Sequence, residues 1–159
     1  MKIGLRIFLG YFLIVGLAGF FVMRVFVEEV KPGVRQAMED TLVDTANALA
    51  LLAAHDLREG DMAQGQFAKG VDELARRDLD AKIWTYHKRH ADYRIYVTDA
   101  RGIVVYDSAH KDLGKDYSRW NDVYLTLRGK YGARSTRSDP NDDASSVMHV
   151  AAPVRDAGG

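Results

Sequence analysis

The chain has 159 residues, 22 basic residues balanced by 22 acidic ones, and no cysteine. This length leaves room for one modest domain besides an apolar N-terminal segment. Without cysteine there is no disulfide, thiolate metal site or cysteine nucleophile. Three basic residues and no acidic residue precede Glu28, so the remainder is slightly acidic and lacks the basic surface of a nucleic-acid-binding protein.

Residues 7–23, IFLGYFLIVGLAGFFVM, form an uncharged run between Arg6 and Arg24. A helix that crosses a hydrocarbon core about 30 Å thick needs roughly 20 mostly apolar residues, and the apolar flanks of this run supply the remainder. A cleaved signal peptide would have a shorter run and a polar start after its small residues. More apolar sequence follows Leu17-Ala18-Gly19 instead, which favours a retained transmembrane helix.

The side on which the following domain lies is less clear from charge alone. Lys2 and Arg6 stand on one side of the run, and Arg24, Lys31 and Arg35 on the other. Long domains translocate largely regardless of charge, so the pattern favours an extracytoplasmic domain without deciding it.

Pro32 predicts a break or kink in the helix and the start of a second one, because proline has no backbone donor. From residue 32 to about 54, apolar residues recur at steps of three or four, as in an amphipathic helix. That face packs either on a domain core or against a second copy in a dimer. We therefore expect a membrane segment over 1–31 and a separate domain over 32–159.

The rest of the chain predicts an α+β fold. Asp61 is a possible cap for a short helix over 62–77. A hairpin is predicted for Tyr93 to Ser108, since β-rich runs flank Asp99-Ala100-Arg101-Gly102. A short helix over 120–127, capped by Ser118 or Asn121, precedes strands over 131–136 and 146–154, with a turn at 139–143 between them and a surface turn at 87–90 earlier. Such an antiparallel sheet calls for one more strand.

Catalytic and metal motifs are weak. His87 and His90 have a metal-ligand spacing, but Lys88 and Arg89 between them would repel a cation. The acidic turn at 139–143 lacks the regular ligand alternation of a calcium loop. No phosphate-binding glycine loop, nucleophile elbow or H-E-x-x-H motif occurs. We expect no catalytic residue, metal or cofactor in this chain.

The segment from Asp116 to Arg134 has the best claim to ligand binding. Aromatic and cationic side chains concentrate there, as in small concave sites for anionic or polar ligands. The alternative is that the aromatic residues cover the sheet while the arginines are solvated. The candidate ligand-binding residues are Tyr117, Arg119, Trp120, Tyr124 and Arg134.

Several of these stretches together resemble one family. KIGLRIFLGYFLIVG, FVEEVKPGVRQAMEDTLVDTANALA, YVTDARGIVVYDS, DYSRWNDVYLTLRGKYGARSTR and SSVMHVAAPV look like the CreC family of sensor histidine kinases, from the CreBC two-component system. The block from Tyr117 to Thr136 is the most specific, and the likeness is weakest between Arg58 and His90. The hairpin alone would indicate only the broad extracytoplasmic PAS-like (Cache) class.

The resemblance implies an inner-membrane protein with its N-terminus inside and a PAS-like sensor domain in the periplasm. The family then has a second membrane helix, a HAMP linker, a phosphoacceptor domain and an ATPase domain that uses ATP and magnesium. Its partner is the response regulator CreB, its complete form is a homodimer, and its output concerns carbon-source metabolism. This chain is expected to end inside the sensor, before the last strand and the kinase, and so to have no activity itself. His55-Asp56-Leu57-Arg58 imitates part of a phosphoacceptor box, but the expected proline does not follow it.

Two other readings stay open. The same kind of sensor can feed a chemoreceptor or a cyclic-nucleotide enzyme. The chain can also be a membrane-tethered interaction module that takes no small ligand.

Overall fold

A computed structural model describes residues 2–142 and 145–155, and the chain divides into two compact units, Met1–Thr41 and Leu42–Gly159. The first unit is helical throughout its described residues. Helix α1 covers Lys2–Val25, and its large apolar side chains are exposed. Its 24 residues rise about 36 Å at roughly 1.5 Å per residue, more than the thickness of a hydrocarbon core. In the described part of the chain, one helix is long and apolar enough to cross a membrane.

The prediction at Pro32 is confirmed in part: the regular α-helix is interrupted just before Pro32 and a second α-helix begins at Lys31, but the chain stays helical throughout. A π-helical turn, Phe26–Val30, follows α1, and helix α2 then runs over Lys31–Glu59 with Pro32 as its second residue. A π turn shifts backbone bonding to the fifth residue along, so the chain passes the missing Pro32 donor without ending the helix. Arg24 Nε donates to Glu28 Oε1 at 2.9 Å across this region.

The second unit confirms an α+β fold. After α2 come helix α3 (Gln66–Arg76), strands β1 (Ala81–Ile83), β2 (Tyr86–Lys88), β3 (Tyr96–Thr98) and β4 (Val104–Asp107), helix α4 (Asn121–Thr126), and strands β5 (Gly132–Arg137) and β6 (Ser146–Ala151). The described strands pair as three antiparallel hairpins, β1–β2, β3–β4 and β5–β6. The predicted acidic turn lies between β5 and β6 for residues 139–142, and Asp143 lies outside the described residues.

The main core joins α2, α3 and the β3–β4 hairpin. Ala53, Phe67, Val97 and Tyr106 are among its buried residues, and the Phe67 and Tyr106 rings meet edge to face at 5.5 Å between centroids. The predicted Asp61 cap of α3 is wrong. The carboxylate of buried Asp56, on α2, accepts the Phe67 N–H at 2.7 Å instead, because α2 passes directly over the start of α3.

Of the remaining local predictions, some are confirmed and some are wrong. The turn at 87–90 is wrong in part, because His87 and Lys88 belong to β2. The hairpin of β3 and β4 is confirmed, with a bulge between Val97 and Thr98. Asp99 Oδ1 closes its turn by accepting hydrogen bonds from the N–H groups of Arg101 and Ile103, both at 2.9 Å.

The expected helix before β5 is present as α4, but neither Ser118 nor Asn121 caps it. Trp120 occupies the cap position and makes no side-chain cap bond.

Gly102 fixes how the next segment lies on this hairpin. Its φ of +85° is a left-handed conformation that suits glycine, and its carbonyl accepts the Tyr117 N–H at 2.8 Å. A Cβ at this position would stand 2.6 Å from Ser118 Cα. The missing side chain therefore allows residues 114–117 to run along β4, which orients Tyr117.

We expect Gly102→Ala to destabilise the second unit by at least about 1 kcal/mol more than Gly129→Ala. Gly129 has φ +69°, and a Cβ there would have no heavy atom within 4 Å, so alanine meets only the backbone penalty of about 1–2 kcal/mol. Denaturant unfolding of both variants measures the difference. Equal losses would show that the approach to Ser118 is not tight.

Candidate functional site

Three of the five candidate ligand residues come together beside α4. The Tyr117 and Trp120 rings are stacked with centroids 3.5 Å apart, and the Arg134 guanidinium carbon lies 4.0 Å from the centroid of the Trp120 ring. Tyr117 is buried at 2% exposure. The result is a layered stack of arginine, indole and phenol, in which a cation–π contact joins the guanidinium to the indole.

A buried carboxylate fixes the arginine from its edge. Asp122, on α4, is fully buried, and Arg134 Nε donates to its Oδ1 at 3.0 Å. The Tyr96 hydroxyl donates to the other oxygen of the same carboxylate. Burial, followed by this contact with Asp122, raises the pKa of Tyr96, so the phenol stays protonated and acts as a donor. The charge of Asp122 is thus compensated by one cation and one hydroxyl.

One nitrogen of the Arg134 guanidinium, Nη2, carries two N–H groups and has no hydrogen-bond partner among the described residues. This nitrogen is buried. A buried donor without a partner is unfavourable, and a guanidinium fork is well matched to carboxylate or phosphate oxygens. The chemistry of this nitrogen is therefore compatible with an anionic or polar acceptor.

The other two candidate residues lie outside the stack. Arg119 is exposed just before α4, and Tyr124 is 41% exposed with the Arg128 guanidinium 3.5 Å from its ring centroid. Any ligand role for Arg119 and Tyr124 stays a prediction.

Three members of the cluster were not among the candidates: Tyr96, Asp122 and His149. His149 sits opposite Arg134 in the β5–β6 register, and its ring centroid is 6.3 Å from that of Tyr96. Burial, together with the nearby Arg134 charge, lowers the pKa of His149, so the imidazole is favoured in its neutral form. The sequence predicts the two strands that pair here, β5 and β6. It does not predict their register, so it cannot say which residue lies opposite Arg134.

Asp107 supports the cluster from the end of β4. Its buried carboxylate accepts from Arg94 Nη2 at 2.8 Å and Nε at 3.0 Å, and from the backbone N–H groups of Ala109, Lys111 and Asp112 at 2.9–3.1 Å. Asp112 Oδ2 in turn accepts the Tyr117 hydroxyl at 2.5 Å. The loop after β4 is therefore tied both to the segment just before β3 and to the aromatic stack.

These hydrogen bonds shift the pKa values of Asp107, Asp112 and Tyr117. The Arg94 bond, aided by the backbone donors and opposed by burial, lowers the pKa of Asp107 far below its usual range. Arg94, Lys115 and Tyr117 lower the pKa of Asp112 in the same way. Burial, with the Asp112 contact, raises the pKa of Tyr117 to about 12. All three groups therefore keep one protonation state around neutral pH.

The described residues contain no group of three or more side chains suited to hold a metal ion. His87 of the predicted histidine pair contacts Asp80, with Nε2 and Oδ1 2.6 Å apart.

Comparison with known proteins gives one strong likeness. The chain is 56% identical over 156 residues to Sensor protein CreC of Escherichia coli strain K12, a match that covers 98% of this chain and 33% of the relative. The chain thus spans about a third of the length of the curated relative that it matches. No protein-family model matches the chain. No solved structure matches it either.

We expect Asp107→Asn to destabilise the second unit by about 2–3 kcal/mol at pH 7, because it removes a buried charge partner of Arg94. The folded pKa is lowered, so the stabilisation is present above the unfolded pKa of about 3.9 and is lost as pH falls below it. The gap between the two proteins should therefore narrow toward pH 3.

Urea unfolding at pH 7 and pH 3 measures this gap. Asp40→Asn, at an exposed position on α2, serves as the control and should have little effect. A gap that is absent at pH 7, or that widens toward pH 3, would contradict the supporting role of Asp107.

Proposed function

We propose that this chain is the membrane anchor and extracytoplasmic sensor region of a two-component sensor histidine kinase of the CreC kind. The likeness to Sensor protein CreC carries the proposal, because 56% identity extends over 98% of the chain, the apolar helix included. In this proposal α1 crosses the inner membrane once, and the domain from residue 32 onward lies in the periplasm.

The fold is compatible with a PAS-like domain of the Cache class. Such a domain presents an antiparallel sheet with helices packed against it, and the second unit has antiparallel hairpins with α2 and α3 against one of them. The kinase activity, its ATP and magnesium, and a response regulator such as CreB belong to the complete protein in this proposal.

A homodimer is the state in which such a sensor would work. Exposed apolar side chains on α2 support pairing with a second copy: Val34, Met38, Leu51 and Leu52 are 57%, 61%, 80% and 68% exposed. Apolar positions of this kind on a long helix are typical of helix–helix seams.

The proposed stimulus is a small anionic or polar ligand that engages the cluster of Tyr117, Trp120 and Arg134. Arg134 Nη2, which has no hydrogen-bond partner among the described residues, supplies the donor. Binding changes signalling only if the ligand prefers one of two arrangements of the domain. A movement of α4 against β5 would be passed through the domain toward α2 and the membrane.

In the full-length protein, Arg134→Lys should change signalling by about fivefold or more, the usual size of coupling between a sensor site and an output. Lysine keeps the positive charge beside Asp122 but removes the flat fork and its free donor. The measurement is phosphotransfer to the response regulator in cells, at matched protein abundance.

Arg101→Gln is the matched control, because Arg101 is an exposed arginine in the turn of the β3–β4 hairpin. Its signalling should equal that of the parent. If Arg134→Lys folds with unchanged thermal stability and also signals like the parent, the assignment of the ligand cluster is lost. If no variant and no growth condition produces phosphotransfer, the kinase proposal itself is lost.

A further inference from the structure

The β1–β2 hairpin is exposed on both of its faces. Residues 82–87, which form its apex, are all exposed. Its base is held by the bond from Leu79 N–H to the Arg89 carbonyl at 2.8 Å, and by Arg89 Nη2, which donates to Asp78 Oδ2 at 2.6 Å. A two-stranded hairpin with neither face covered is marginally stable in water. Contact of the apex with another surface would therefore stabilise it.

The apex carries three large apolar or aromatic side chains that the rest of the described chain leaves uncovered. Ile83 and Tyr86 lie opposite each other in the strand register, and both are more than half exposed. Trp84, next to Ile83, is 93% exposed. Single exposed apolar residues are ordinary, but a group of them at one apex forms a patch, and such patches mark interaction sites.

Trp84 is held in a backbone conformation that does not suit it. The turn has two central residues, Trp84 and Thr85, and the φ of Trp84 is +54°. Glycine, asparagine and aspartate dominate such turn positions, because a bulky side chain is strained there. The exposed indole gains almost no packing in return. A residue that strains its turn and covers nothing within its own domain indicates a role in contact with something else.

Charges are sorted along this hairpin. No acidic residue occurs from residue 81 to residue 91. The acidic groups stand at the base and are paired there: Asp78 with Arg89, Asp80 with His87 and Asp92 with Lys88. Lys82, at the apex, has no ion-pair partner in the part of the chain that the structure describes. The apex is therefore apolar with one unpaired positive charge, which complements an anionic surface.

We propose that the β1–β2 apex inserts into the surface of an anionic lipid bilayer, with Trp84 at the level of the headgroups and Lys82 against their phosphates. Tryptophan and tyrosine are enriched at membrane–water interfaces, and a lysine beside them keeps its charge in the headgroup layer. The proposal rests on the proposed membrane anchor, since α1 is what keeps the domain within reach of a bilayer.

The small size of the apex favours lipid over a second protein. A stable protein interface buries about 800 Å² on each partner. Trp84 and Tyr86, at 93% and 60% exposure, offer together less than about 400 Å², from about 250 Å² for a large aromatic side chain. A contact of this size is weak by itself, but a tether raises the effective concentration to about the millimolar range. A bilayer surface also deforms around a convex apex without a preformed pocket.

Fluorescence of the whole chain in nanodiscs of phosphatidylcholine and phosphatidylglycerol tests the proposal. Bromine atoms on the lipid acyl chains quench only tryptophans close to them, and the chain has two tryptophans, Trp84 and Trp120. The parent should lose a share of its fluorescence in brominated discs, up to about half, because an inserted Trp84 lies at the membrane interface.

Trp84→Asn should lose no fluorescence in brominated discs, because the remaining Trp120 is stacked on Tyr117 within the domain. Its thermal unfolding midpoint should be no lower than that of the parent, since asparagine adopts a positive φ readily. Quenching that persists in Trp84→Asn would overturn the proposal, because Trp120 would then be the residue in contact with lipid.

Lys82→Gln tests the charge of the apex. Loss of one lysine beside an anionic surface should weaken the insertion equilibrium by about fivefold. Lys69→Gln is the matched control, because Lys69 is an exposed lysine on α3, and its quenching should equal that of the parent. Equal quenching in Lys82→Gln and the parent would contradict the contact with anionic headgroups.

Flotation with vesicles of the same lipids keeps this proposal apart from the proposed anchor. A chain that floats but shows no quenching overturns the apex contact and leaves the anchor in place. A chain that does not float overturns the anchor, and the apex contact with it.

A photo-crosslinking residue in place of Thr85 in the full-length protein, in cells, identifies what the apex touches. Lipid adducts are expected. A crosslink to a second copy of the chain or to another protein, without lipid adducts, would overturn the proposal.

Discussion

Asp107 accepts hydrogen bonds from Arg94 and from three backbone N–H groups of the loop after β4, and it does so from a buried position. A buried carboxylate persists only if its lone pairs and charge are satisfied, so this residue obliges the loop and the approach to β3 to adopt one arrangement. Through Asp112 the same loop holds the Tyr117 hydroxyl, and Tyr117 supports the Trp120 ring. The proposed ligand cluster therefore rests on a polar network more than on the size of the apolar core.

Much of the fold follows from local pattern. Asp99 and Gly102 between two β-rich runs define a hairpin because aspartate caps the turn and glycine takes the left-handed conformation. Features that depend on residues distant in the sequence could not be predicted from local pattern. The cap of α3 comes from Asp56, eleven residues before Phe67 and on another helix. The continuous helix through Pro32 depends on a π turn that no propensity scale describes.

The same division holds at the site. The aromatic and cationic residues of the segment 116–134 made Trp120 and Arg134 candidate site residues, and these two side chains are in contact in the structure. Composition does not say which of two neighbouring side chains turns inward, so Arg119 is exposed while Trp120 stacks. The pairing of Arg134 with His149 is a matter of strand register, which a one-residue shift would change completely.

The central claim is that α1 holds this domain outside the cytoplasm, and the absence of native cysteine makes a direct test possible. Ser138→Cys places a unique thiol at an exposed position beside the β5–β6 turn. With the outer membrane permeabilised and the inner membrane intact, a membrane-impermeant maleimide should label this cysteine as fully as it does after lysis. Labelling that appears only after the inner membrane is broken would contradict the account.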